Sequence, residues 1–139
     1  MSLRNLFRKQ SSPKIVHDSV RLNSLVLTVA RYIATVLTRD PSAEFRPATL
    51  AQVLHESELA ILAAFYVLEK QGIAQPHYGL YCTANATPIE VYSSPDEVPT
   101  EAPCDVCDVE HSTDDRSMYS ELFFTIDADK LSHLHAAAA

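Results

Sequence analysis

Apolar residues in the first third of the chain recur at spacings of mostly three and four: Val16, Val20, Leu22, Leu25, Val26, Val29, Ile33, Val36 and Leu37. That periodicity predicts a helix with a broad apolar stripe over Lys14–Thr38. Asp40-Pro41 ends it, because a residue before proline is pushed out of the α region. A rod of about 25 residues is about 40 Å long, more than a small domain can cover. Either its outer face packs on a second copy, or the helix breaks near Leu22-Asn23-Ser24. Leu25, Val29, Ile33 and Val36 are expected at such an interface or beneath the helices that follow.

Pro47-Ala48-Thr49-Leu50-Ala51-Gln52-Val53-Leu54 predicts a short helix opened by proline, whose missing N–H has no partner in a first turn anyway. Glu56-Ser57-Glu58 starts a longer helix with Leu59, Ile61, Leu62, Phe65, Tyr66 and Leu68 as its apolar positions, and Gly72 closes it. Ile73 to Cys82 reads as a strand entering a turn or hairpin. Ile89-Glu90-Val91-Tyr92 alternates as a strand does, and Glu121–Ile126 reads as a closing strand. Pro95, Pro99 and Pro103 are expected to break regular structure between them. Asp127–His135 is a candidate short helix, followed by a low-information tail.

Residues 1–13 read as a flexible basic arm, since Leu3, Leu6 and Phe7 form only a short apolar face. The net charge of −7 is unevenly spread. Residues 1–46 hold eight Lys/Arg against three Asp/Glu, whereas residues 47–139 hold three against fifteen. Between Gln71 and Asp115 there are nine acids and no Lys or Arg, which repels a phosphate backbone. No eighteen-residue uninterrupted apolar run occurs, so no membrane span is expected, and no secretory signal pattern follows the basic N-terminus. An odd cysteine count argues against a disulfide framework, and a cytoplasmic location is expected.

The three cysteines carry the candidate chemistry. Cys104 and Cys107 form a C-x-x-C pair, and 21 residues separate Cys82 from Cys104. Tetrahedral zinc takes four thiolates, or three and a histidine. Cys82-Thr83-Ala84-Asn85 has Asn where a second thiolate would stand. Cys82, Cys104 and Cys107 are therefore expected as zinc ligands, with His111 or His77 completing the set. A ribbon that has lost its metal is the competing reading.

The order short helix, turn, longer helix and strand, with Tyr66-Val67-Leu68-Glu69-Lys70-Gln71-Gly72-Ile73 ending the longer helix, resembles a winged helix-turn-helix over about residues 14–81. Followed by the cysteine pattern, it is similar to the winged helix and zinc ribbon of the TFIIE large subunit and its archaeal relatives. It also resembles the linker modules of bacterial anti-phage defence systems. The resemblance implies an α+β chain: a basic arm (1–13), a winged-helix unit with a long first helix (14–81), a small zinc-ribbon-like antiparallel β unit (82–127) and a tail (128–139). It implies a binding or bridging protein held together by a structural metal.

The start of the longer helix offers Glu56, Ser57 and Glu58, then Ala60, Ala63, Ala64 and Val67. Carboxylates there oppose phosphates, and alanines make no base-edge hydrogen bonds, which argues against sequence-specific DNA reading. With only two glycines, and no G-x-S-x-G, H-E-x-x-H or phosphate loop, enzymatic motifs are wanting. The expectation is a non-enzymatic adaptor or regulatory subunit, meeting a protein partner and its own copies through the 14–38 helix. The alternative is a winged-helix transcriptional regulator.

Overall fold

The apolar stripe forms a single helix that is longer than its pattern predicts. In the computed structural model, which describes the backbone of residues 3–138 and the side chains of residues 20–134, α1 spans Leu3–Arg39. It runs unbroken through Leu22-Asn23-Ser24 and includes the backbone of 3–13, expected as an arm. The side chains of Leu3, Leu6 and Phe7 lie outside the described residues. By length and composition Val20–Arg39 is apolar enough to cross a membrane, with a mean hydropathy of 1.3. One face of that stretch is nevertheless packed inside the protein: Val26, Val29, Ala30 and Ile33 are buried. Val29 and Ile33 thus lie under the other helices, while Leu25 and Val36 pack at the edge of the core.

Two shorter helices follow. Pro47 opens α2 (Pro47–Leu54), which ends at His55 in the left-handed region, φ 55°. Ser57 caps α3 (Glu58–Lys70) by accepting the Ala60 N–H at 3.1 Å, and α3 leaves α2 at a bend of 116°. At its far end the Gly72 N–H donates to the Glu69 carbonyl and the Ile73 N–H to the Leu68 carbonyl, both at 2.9 Å. These paired bonds satisfy carbonyls that would otherwise lack partners, and they need φ near +73° at Gly72.

The strands form two sheets. β1 (Ala74–Cys82) is the centre of a three-stranded antiparallel sheet, flanked by β2 (Pro88–Tyr92) and β5 (Met118–Ile126). β3 (Glu101–Cys104) and β4 (Val109–Ser112) make a separate hairpin, and α4 (Ala128–Ala138) ends the described chain. β5 pairs along all of β1, from Ala74 opposite Ile126 to Cys82 opposite Met118. A helical unit ending at residue 81 and a ribbon beginning at 82 therefore share one sheet. β2 and β5 take opposite edges of β1, and the Cys104–Cys107 turn belongs to the separate β3–β4 hairpin. Phe45 exchanges both backbone hydrogen bonds with Phe124, at 2.9 and 2.8 Å, tying the α1–α2 connection to β5.

The main core joins Val29 and Ile33 of α1, Leu50 of α2, Ile61, Phe65 and Leu68 of α3, Phe124 of β5 and Leu131 of α4. Phe65 and Phe124 stack with centroids 4.3 Å apart. The short helix expected over Asp127–His135 forms as α4, and its Leu131 joins this core, so that part of the span assigned to a tail (128–139) is packed. Beside it lies a much smaller cluster, in which only Leu80, Ala102 and Met118 are fully buried. On the other face of the sheet the Tyr81 ring lies over Gly79 and stacks on Tyr119 at 5.4 Å, and its hydroxyl accepts a hydrogen bond from Arg46 at 3.2 Å. Arg46 also pairs with Glu121 at 3.2 Å and with Glu44 at 3.5 Å.

Candidate metal centre

Cys82 is the last residue of β1 and enters a tight turn before β2. The Ala86 N–H donates to the Cys82 carbonyl at 2.8 Å, and Ala86 adopts a left-handed φ of 56°. The turn between β3 and β4 repeats this geometry: the Asp108 N–H donates to the Cys104 carbonyl at 2.8 Å, and Asp108 has φ 57°. Asn85 thus stands in the first turn where Cys107 stands in the second. Its side chain accepts the Thr87 N–H at 3.0 Å, which holds the turn instead of offering a donor.

The missing donor comes from the opposite hairpin. Cys82 Sγ, Cys104 Sγ, Cys107 Sγ and a ring nitrogen of His111 all lie within 4.8 Å of one another. The pleat explains why: Ala102 is the cross-strand partner of His111, and Ala102, Cys104 and His111 are buried while Glu101, Pro103 and Glu110 are exposed. His111 is the one buried polar side chain among the described residues. Pro103, expected to break regular structure, is accommodated in this short hairpin with its ring exposed. His77, the other candidate, is elsewhere; its Nε2 bonds Thr125 Oγ1 at 2.8 Å and its ring stacks on Phe123.

Two distances test whether the four donors fit one ion. Cys82 Sγ lies 3.6 Å from Cys107 Sγ and 3.4 Å from His111 Nε2. A tetrahedral ion bound at about 2.3 Å by sulfur and about 2.0 Å by nitrogen sets S···S at about 3.8 Å and S···N at about 3.5 Å. Both contacts agree with that geometry and exclude a Cys82–Cys107 disulfide, which brings sulfurs to about 2.0 Å. The donor set can therefore bind a metal ion.

The turns also prepare the sulfurs electrostatically. Burial alone raises the Cys82 thiol, but the N–H groups of Ala84 and Asn85, with Cys107 and His111, outweigh it and bring Cys82 down to about 7. Cys107 moves the opposite way, to about 11, chiefly through its hydrogen bond with Cys82 and then through burial. Cys82 is thus the first of the pair to ionise, the form a metal needs.

Residues that cysteine spacing did not single out hold the walls. Thr83 donates its N–H to the Ser117 carbonyl at 3.0 Å and its hydroxyl to the Arg116 carbonyl at 2.7 Å, fastening the first turn to the start of β5. Ser117 Oγ accepts the Ser112 N–H at 2.8 Å, and Asp115 accepts the Ser117 N–H at 2.9 Å. Those hydrogen bonds, first from the Ser117 side chain, lower the Asp115 carboxyl below its ordinary range. The cluster of Ser, Thr and Asp between β4 and β5 was the available signal, because such residues favour side-chain-to-backbone turns. Compared with protein-family models, curated proteins and solved structures, the chain matches none.

Proposed function

We propose that the chain is a non-enzymatic protein-interaction module whose β hairpins are held together by a structural zinc ion. The observation that carries this reading is the donor set Cys82, Cys104, Cys107 and His111. Three sulfurs and one imidazole suit zinc, and four protein ligands close its tetrahedron, leaving no position for a substrate. The small cluster of Leu80, Ala102 and Met118 offers the hairpins little hydrophobic stabilisation of their own. A metal there contributes folding energy directly.

The outward side of α3 supports interaction over base reading. Glu56 and Glu58 stand at its start, Leu59 and Tyr66 are exposed along it, and the turn region from Gln75 to Ala86 has no Lys or Arg. An adaptor or regulatory subunit of a cytoplasmic prokaryotic assembly, such as the anti-phage defence linkers it resembles, needs such surfaces. A transcriptional regulator is the second reading. The order α2–α3–β1–β2, the 116° bend and the Phe45–Phe124 bridge favour it, since helix-turn-helix units bend by about 90–120°.

Elemental mass spectrometry on the purified chain and on Cys104→Ser tests the first reading. One zinc per chain, lost in the variant, is the expected result; a folded wild type without metal overturns the structural-zinc assignment. A duplex-DNA mobility shift with site preference at physiological salt would move the function to the second reading.

A further inference from the structure

A groove of about 490 Å³ runs between α1 and the start of α3, lined by Leu22, Leu25, Ala60 and Ala63 among others. On the same two helices Val20, Leu59 and Tyr66 stand 63, 78 and 58 % exposed. None of the three lines the groove, but each lies within one helical turn of a residue that does, and large exposed apolar side chains grouped in this way mark a surface that is covered in the working state. The charges on its lips identify the cover. From Val20 to Arg39 α1 carries Arg21, Arg31 and Arg39 and no acid, whereas the α3 side opens on Glu56 and Glu58. Arg21 and Glu56 both line the groove, and among the described residues neither forms an ion pair within the chain.

A single patch that holds an unpaired cation on one lip and an unpaired anion on the other is self-complementary under a two-fold axis. A second copy, rotated by half a turn about an axis along the groove, sets each Arg21 against the opposing Glu56 and the α1 wall of each copy against the α3 wall of the other. We propose that the α1–α3 groove is the interface of a two-fold homodimer, with α1 of each copy against α3 of the other and Arg21 paired to Glu56 across it. This deepens the interaction-module reading by naming the partner and the surface.

Light scattering of the full-length, metal-loaded chain over a range of concentrations is the test, with circular dichroism and metal content on the same samples. Wild type is expected to reach the dimer mass. Arg21→Glu and Glu56→Arg are each expected to weaken the dimer by roughly tenfold or more, because like charges then meet twice across the axis. Mixing the two variants is expected to restore a dimer containing one of each, which an ion pair within one chain could not do. A folded, zinc-bound wild type that stays monomeric at the highest concentration overturns the dimer and leaves the metal-stabilised module standing. A wild-type dimer that both single variants retain, or that their mixture fails to restore, overturns this interface.

Discussion

Sγ of Cys82 and Nε2 of His111 lie 3.4 Å apart across a sequence separation of 29 residues. The first ends the central strand of the larger sheet, and the second sits inside the separate β3–β4 hairpin. Thr113 and Thr83 add hydrogen bonds nearby, to the Thr100 and Ser117 carbonyls. Even so, the small buried cluster between the two sheets consists of Leu80, Ala102 and Met118. An ion held by Cys82 on one side and by Cys104, Cys107 and His111 on the other would tie the two sheets together directly.

His111→Ala should therefore lose the metal and at least about 3 kcal/mol of stability, read by urea unfolding beside elemental analysis. Hydrogen exchange should rise first in β3 and β4, while α1 and α3 remain protected. Full metal content in this variant would remove His111 from the ligand set.

Much of this centre was legible in the chain because metal chemistry constrains residue type and spacing together. Cys82, Cys104 and Cys107 needed only the C-x-x-C pair and its distance from a third thiol. His111 and His77 could not be separated by spacing, since the choice rests on the pleat that turns His111 inward beside Cys104 and on the Thr125 contact that holds His77 away. The helices were legible for a related reason: Pro47, Ser57 and Gly72 are local signals that act on their own neighbours. Strand pairing was not. β5 meets β1 across more than thirty residues, and no alternation within Met118–Ile126 says which edge it will join.

Gly79→Ala tests the outer face of that sheet. A Cβ at residue 79 would fall 2.6 Å from Cε2 of Tyr81, so the ring must leave its place over the glycine. Displacing it disturbs the stack on Tyr119 and the bond with Arg46. The expected cost is about 1–3 kcal/mol in thermal or urea unfolding, with most of it absent when Tyr81 is already Ala. Additive losses in the double variant would mean that the ring is not what Gly79 accommodates.

Asp115 supplies a pH dependence with a definite sign. Its folded carboxyl titrates below the ordinary value, so the charge contributes stability above about pH 4, and that contribution is lost as pH falls through the folded value. Asp115→Asn should melt at a lower temperature than wild type at neutral pH, and the two should converge in strong acid. A gap of constant size down to about pH 2 would show that the charge contributes nothing there.

The repeated turn geometry allows a gain-of-function test. Ala86 and Asp108 share a left-handed φ, 56° and 57°, and each donates its N–H at 2.8 Å to the carbonyl of the cysteine four residues earlier. Asn85 consequently occupies the position in its turn that Cys107 occupies in the other, and its present hydrogen bond to the Thr87 N–H is a modest one to give up. Asn85→Cys placed in the His111→Ala background should restore one metal per chain, now with four sulfur donors. Cobalt substitution reads this directly, because ligand-to-metal charge-transfer intensity grows with the number of thiolates. The double variant is expected to exceed wild type in that band and to recover most of the stability lost in His111→Ala. If it binds no metal while folding normally in its helical part, the two turns are alike only in their backbone, and His111 holds a place that a thiolate at residue 85 cannot reach.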